Sequence, residues 1–242
     1  SSPKYALSRK VAGVGYARKI GMDCALQYSD EKTILHCLDA DTIVSRDYLR
    51  LIADKYEKND IKALIVDFEH QKNSDLVLNK NIRKYEKFLK LTASEIRNTG
   101  SPYGYVALGP TITCLAETYV RIGGMVNKKA TEDFYFLQKI RKFTKIYFLN
   151  EKLVFPSSRL SERVYLGTGY RMKEYKNNKK FINLSFSESA YESLKILLLE
   201  VDKYWGIDYI KFEEHIKHKL NNTAIKFLSK NNLNLVWNKF VK

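Results

Sequence analysis

Cysteine, proline, tryptophan and long apolar runs are all scarce in these 242 residues, and each scarcity excludes something. The three cysteines, Cys24, Cys37 and Cys114, are widely spaced and include no C-x-x-C. Neither a disulfide framework nor a zinc knuckle follows, and a reducing compartment suits them. The longest apolar candidate, Leu194 to Val201, is broken by Lys195 and Glu200. It falls far short of the ~20 residues that cross a bilayer, so no membrane span is expected. The chain opens on Ser1-Ser2-Pro3-Lys4 without a basic-then-apolar leader, which reads as a piece of something longer. No repeat and no low-complexity segment stands out.

What is abundant is apolar and basic. A 45% hydrophobic content can bury a full core, giving one domain with an appendage as the starting expectation. Lys and Arg number 42 against 27 acids, a net charge of +15, which suits an anionic partner: a nucleotide, a phospholipid surface or a nucleic acid. A nucleic-acid binder would cluster basic residues among exposed aromatics, whereas here the lysines spread along most helices and mix with acids. A Lys-rich helical tail resting on an anionic membrane surface is a separate expectation.

Patterning predicts an α/β fold. Ser8 caps a helix from Arg9 to Tyr28, with Val11, Ala12, Val14, Ile20, Cys24 and Ala25 on its buried side. Gly13, Gly15 and Gly21 inside it cost roughly 1 kcal/mol each and so imply close packing or a nearby ligand. Thr33 to Leu38 reads as a buried strand, Ser45 to Asn59 as a capped helix, and Ile61 to Phe68 as a second strand. Strand, helix, strand with short links implies a parallel unit. Asp75 to Asn98 is a long helix with Ile82, Tyr85, Phe88, Leu89 and Ile96 inward, broken at Gly100 to Gly104. Tyr105 to Leu115 reads as extended, Ala116 to Ile122 as a short helix stopped at Gly123-Gly124, and Glu132 to Phe143 as another helix. Lys145 to Phe155 holds two short strand pieces. Ser157 to Tyr170 is a polar loop and Ser187 to Lys242 is helical, with a boundary near Arg171.

Several residue sets can carry chemistry. Asp39-Ala40-Asp41 puts two carboxylates on one side of a strand's exit, where Mg²⁺ or Mn²⁺ can be held against a diphosphate. As a bare D-x-D it is equally a solvated turn. Glu132-Asp133 opens a helix, where acids are favoured by the dipole whether or not one of them takes a proton. Arg159 and Arg163, followed by Gly167-Thr168-Gly169, offer guanidinium forks and free amides for phosphate, or simply a solvated basic loop. Arg18 and Lys19 can face the same ligand from the first helix. Gly13-x-Gly15 lacks the rest of a dinucleotide fingerprint, and Gln138-x-x-Arg141 fits a helix surface. His215 and His218 fit a charged helix face better than a metal site.

In order and together, these pieces resemble family 2 glycosyltransferases of the GT-A fold. The matching residues are Gly15-x-Ala17-Arg18-Lys19-x-Gly21-x-Asp23-x-Ala25; Leu38-Asp39-Ala40-Asp41 leading into Ser45-x-x-Tyr48-Leu49; Gly109; Tyr119-x-x-Ile122-Gly123-Gly124; and Thr131-Glu132-Asp133. The order of these motifs over roughly residues 11 to 155 is more specific than any one of them. The stretch Pro156 to Arg163 with Gly167-Thr168-Gly169 looks like a feature of a bacterial subgroup.

The resemblance implies a GT-A-type, Rossmann-like, mixed but mostly parallel sheet flanked by helices. Residues 1–170 would be a partial catalytic domain and 171–242 a helical extension. It implies an inverting transfer of sugar from a nucleoside-diphosphate donor to a saccharide or lipid-linked acceptor, in the cytoplasm or at the membrane's inner face, for cell-envelope polysaccharide or glycoconjugate synthesis. Asp39 and Asp41 would hold Mg²⁺ or Mn²⁺, and Arg18, Lys19, Asp39, Arg159 and Arg163 would lie along the donor. Asp133 would be the base, oriented by Glu132. Two departures follow: only Ser1 to Leu7 precede the first helix, where relatives place nucleobase-gripping strands, and no His lies between His70 and His215. A catalytically silent binding module is the second expectation.

Overall fold

The computed structural model describes residues 12–128, 130–160, 167–177 and 185–240. It is an α/β protein with one mixed five-stranded sheet flanked by helices. The chain divides into two compact units, Ser1–Lys87 with Ala107–Asn183 and Phe88–Val106 with Leu184–Lys242.

The first unit carries the sheet, ordered β1 (Ile34–His36), β4 (Ile112–Leu115), β3 (Ala63–Phe68), β5 (Tyr147–Phe155) and β2 (Ile43–Val44). The unit expected over residues 33–68 holds in direction. β1 and β3 are both antiparallel to β4 and therefore parallel to each other, with α2 (Tyr48–Glu57) on the path between them. They are not neighbours, because β4 is inserted between them. Among the described residues only β3 and β5 form a parallel pair; β1–β4, β3–β4 and β2–β5 are antiparallel. The short buried runs that announce these strands say nothing about which strand becomes whose neighbour, so the mostly parallel pairing expected of them could not be tested in the sequence.

Local chemistry moved several boundaries. Ser45 does not cap α2: its hydroxyl accepts from the Asp47 amide in a turn at 3.1 Å, and the helix begins at Tyr48. The two strand pieces expected in 145–155 are one strand with an irregularity. Val66 lies opposite Leu149 and Asp67 opposite Lys152, so Asn150 and Glu151 fall out of register. Gly109–Thr111 form a 3₁₀ turn ahead of β4 where extended chain was expected. Asp75 does cap α3 (Leu76–Asn98), accepting from the amides of Val77 and Leu78. Leu64, Val66 and Val154 of the sheet, Ile52 of α2, and Phe136 and Ile140 of α5 (Glu132–Phe143) are fully buried, each contributing roughly 1.5–3 kcal/mol.

The first helix corrects the expectation most. α1 is Val14–Ala25, continued by a 3₁₀ turn at Leu26–Tyr28, and Ser8 to Val11 lie outside the described residues. Its inward face is not aliphatic: Val14 and Ile20 are 37% and 43% exposed, and Cys24 is exposed. Gly15 and Met22 are buried instead, with the Arg18 side chain only 9% exposed on the same face. An arginine held by internal carboxylates occupies the place where periodicity expects a leucine.

The second unit includes α7 (Glu188–Tyr204), α8 (Tyr209–Lys217), α9 (Asn222–Lys230) and α10 (Leu233–Phe240). Their core is Phe212, Ile216, Leu220 and Trp237, with the Phe212 and Trp237 rings stacked at 4.3 Å and the Trp237 indole N–H donating to the Ile207 carbonyl. Asp208 and Asn221 cap α8 and α9. Glu200 is buried and takes donations from Lys219, His215 and Lys203; the Lys219 bond leads the effects that pull its carboxyl down to about 2. His215 therefore serves this ion cluster, and His218 is exposed, as the charged-face reading expected.

Candidate functional site

β1, β3 and β5 run the same way, so their carboxyl ends emerge at one end of the sheet, where open α/β sheets place their ligands. β1 delivers Asp39 and Asp41, β3 delivers His70 and Gln71, and β5 leads to Arg159. Gln71 ties the three exits together, its amide donating to the carbonyls of Asp41 at 2.8 Å and Phe155 at 2.7 Å. Arg159 reaches the Asp41 carboxylate at 2.7 Å. A cavity of about 500 Å³ opens here, lined among others by Arg18, Gly21, Asp39, Asp41 and Arg159. That is room for a small polar ligand.

Arg18 is the hub. One guanidinium nitrogen donates to Asp39 at 2.6 Å and the other to Glu132, a residue 114 positions away. Burial works against its charge, but Asp39 and Glu132 together hold it above the usual arginine value. Its Nε is buried without a hydrogen-bond partner among the described residues. Burial lifts the Glu132 carboxyl, the neighbouring Asp133 charge adds to this, and Arg18 opposes both. Asp133 is also lifted, first by burial, with the amides of Phe134 and Gly109 and the Arg18 charge pulling it back. Two adjacent carboxyls with raised proton affinity, at the start of α5, are suited to taking and holding a proton.

Three backbone features make this approach fit. A Cβ on Gly15 would stand 2.6 Å from the Lys128 carbonyl and 2.8 Å from Glu132 Cβ, so α1 can meet the start of α5 only through a glycine. A Cβ on Gly109 would collide with the Arg18 guanidinium. Thr131, immediately before the acidic pair, holds a left-handed φ of 63°, unusual for a β-branched residue. Gly15→Ala should therefore force α1 off α5 and destabilise the protein by about 1–3 kcal/mol, read as a lower urea midpoint. Gly21→Ala, whose Cβ would meet nothing within 4 Å, should instead raise that midpoint, since alanine is favoured over glycine inside a helix by roughly 1 kcal/mol.

The structure thus gathers Arg18, Asp39, Asp41, Glu132, Asp133 and Arg159 at one end of the sheet. Lys19 is placed elsewhere: it pairs with Asp23 at 2.7 Å, beside the Tyr119 hydroxyl that donates to the same carboxylate, and does not line the cavity. Arg163 lies outside the described residues. Gly167 has a left-handed φ of 91°, and Thr168 opens α6 (Thr168–Asn177).

Sequence reasoning missed two groups. His36 and Cys37 line the cavity; burial pushes the Cys37 thiol up to about 12 and lowers His36, whose Nδ1 meets the Tyr48 hydroxyl at 3.1 Å. His70, 2% exposed, binds Glu86 through Nδ1 at 2.8 Å and Thr168 through Nε2 at 3.1 Å, while Arg83 chelates Glu86. Its position just past an apolar strand, like that of Asp39, was the available signal.

Among the described residues no cluster of three or more metal-ligating side chains is present. Asp39 and Asp41 each commit one oxygen to an arginine, and among the described residues nothing bonds the other. Two such oxygens beside a cavity fit a hard divalent cation whose shell is completed by phosphate and water. No family model, curated protein or solved structure matches this chain.

Proposed function

We propose that the chain is an inverting, metal-dependent glycosyltransferase with a GT-A-type core, moving a sugar from a nucleoside-diphosphate donor to the hydroxyl of a saccharide or lipid-linked acceptor. One observation carries the reading. Residues singled out in separate stretches of sequence come together at the carboxyl ends of parallel strands: the D-x-D acids, Arg18 and Arg159 line one cavity, and Arg18 behind it bonds Glu132 of the Glu132-Asp133 pair.

In this reading Arg18 and Arg159 present cationic donors to the diphosphate, and Asp39 with Asp41 would hold Mg²⁺ or Mn²⁺. The cation supplies positive charge against the negative charge growing on the departing diphosphate. The acceptor oxygen bonds to the anomeric carbon from the face opposite the leaving group, the carbon–oxygen bond to the diphosphate breaks, and Asp133 takes the hydroxyl proton. Glu132, fixed by Arg18, keeps the start of α5 in place, and burial raises the proton affinity of Asp133 beside it. The experiment is release of nucleoside diphosphate from a panel of sugar nucleotides with Mn²⁺, with and without saccharide acceptors. Release that grows with an acceptor supports the reading, and none from any donor overturns it.

The silent binding module has one observation in its favour: both D-x-D carboxylates already carry an arginine. Arginine can stand in for a metal's charge, in which case nucleotide would bind equally well without Mn²⁺.

A further inference from the structure

We infer that the last two helices form an anionic-lipid docking surface. From His215 to the end of the chain the sequence contains six lysines and no acid, a departure from the mixed charge of the preceding helices. Lys217 and Lys219 turn back to Glu213 and Glu200. Among the described residues no carboxylate pairs with Lys226, Lys230 or Lys239.

Helical geometry decides where these lysines point. On α9, Ala224, Ile225 and Leu228 pack on the core of the helical unit, which leaves Lys226, Phe227 and Lys230 on the opposite face. Phe227 is 64% exposed. On α10, Leu233 and Trp237 face that same core, and Leu235, Val236 and Lys239 turn away from it, Leu235 59% and Val236 48% exposed. Each helix thus sets large apolar side chains among lysines that pair with no described carboxylate. The joining turn, with Asn232 at a left-handed φ of 53°, adds only polar asparagine.

This mixture selects the occupant. A polyanion in water would use the lysines but gain nothing from Leu235, Val236 or Phe227, which would remain wet. The surface of an anionic bilayer uses both: lysine stems snorkel to the headgroups while the apolar side chains enter the acyl boundary. Neither helix is long or apolar enough to cross the bilayer, so the contact is peripheral.

The test is co-sedimentation of the full chain with vesicles of phosphatidylcholine alone or mixed with phosphatidylglycerol. The chain should bind the mixed vesicles and not the neutral ones. Each lysine near an anionic surface adds about fivefold, so Lys226→Gln/Lys230→Gln/Lys239→Gln should weaken binding about 100-fold. Leu235→Ser/Val236→Ser should weaken it as well, with the melting temperature of both variants unchanged because every altered side chain is exposed. Absence of binding to mixed vesicles overturns the inference. So does binding to heparin and duplex DNA as tight as to vesicles and indifferent to the serine pair, which assigns the lysines to a polyanion. Vesicle binding does not require sugar transfer, so the two readings fail separately.

Discussion

Asp133→Asn should lower the rate of sugar transfer by about 10²–10⁴-fold while leaving nucleotide affinity unchanged, because it removes the group that accepts the acceptor's proton and nothing that touches the donor. The amide is isosteric and can still accept from the Phe134 amide as the carboxylate does at 2.8 Å, so the backbone at the start of α5 is preserved. The pH profile sharpens the expectation. Burial raises the Asp133 carboxyl above its ordinary 3.8, so the acid limb of the wild-type profile should lie above that value and vanish from the residual rate of the variant. The stability effect has the opposite sign. A carboxyl whose folded pKa is raised contributes stability that is fully present below its unfolded pKa and is lost as pH rises through the folded one. At neutral pH the working, ionised form is therefore a cost to the fold, and Asp133→Asn should unfold at slightly higher urea than wild type. Full turnover by the variant would remove Asp133 from the mechanism.

Arg18→Met should cost about 3–5 kcal/mol, the penalty for stripping a buried carboxylate of its partner. Glu132 is 6% exposed, and among the described residues Arg18 is its only cationic contact. Its carboxyl is already lifted with Arg18 present and rises further without it, so the deficit should be largest at neutral pH and shrink as acid protonates Glu132. Arg18→Met/Glu132→Gln should recover part of the loss, since a neutral pair no longer leaves a charge stranded. Urea unfolding of the four proteins at neutral and mildly acidic pH measures this directly. Additive losses, with no recovery in the double variant, would mean that the two residues do not act as a pair.

These two expectations turn on an arginine that hydrophobic periodicity misread. The sequence pattern seated α1 on Val14, Ile20 and Cys24, all of which are exposed, because apolar spacing cannot reveal a charge that two distant carboxylates neutralise. The sequence did single out Arg18, Asp39, Asp41, Glu132, Asp133 and Arg159, which the fold brings together at one end of the sheet. Each belongs to a recognisable exit or cap, and α5 begins at Glu132 as its acidic first turn indicates. Pairing was illegible for a different reason. β4 is four residues long with its first three buried, so it carries no alternation to show its direction or its place between β1 and β3. Lys19 and Arg18 are adjacent on a helix and so point about 100° apart, which sends one to Asp23 and the other to Asp39 and Glu132. Gly15 was legible as a tight contact, but its partners at Val126, Lys128 and Glu132 lie too far along the chain for local reasoning to name.

A thermal-shift titration with uridine, guanosine, cytidine and thymidine diphosphates, with and without Mn²⁺, on wild type and Asp41→Ala, tests the central claim most directly. A ligand bound only by the folded state at about 100 times its dissociation constant stabilises by roughly 2.7 kcal/mol, a readable rise in melting temperature. The account predicts that one nucleotide gives such a rise, that it depends on Mn²⁺, and that it disappears in Asp41→Ala. No rise with any nucleotide, or an equal rise without metal that survives Asp41→Ala, would contradict a metal-dependent donor site at the end of this sheet.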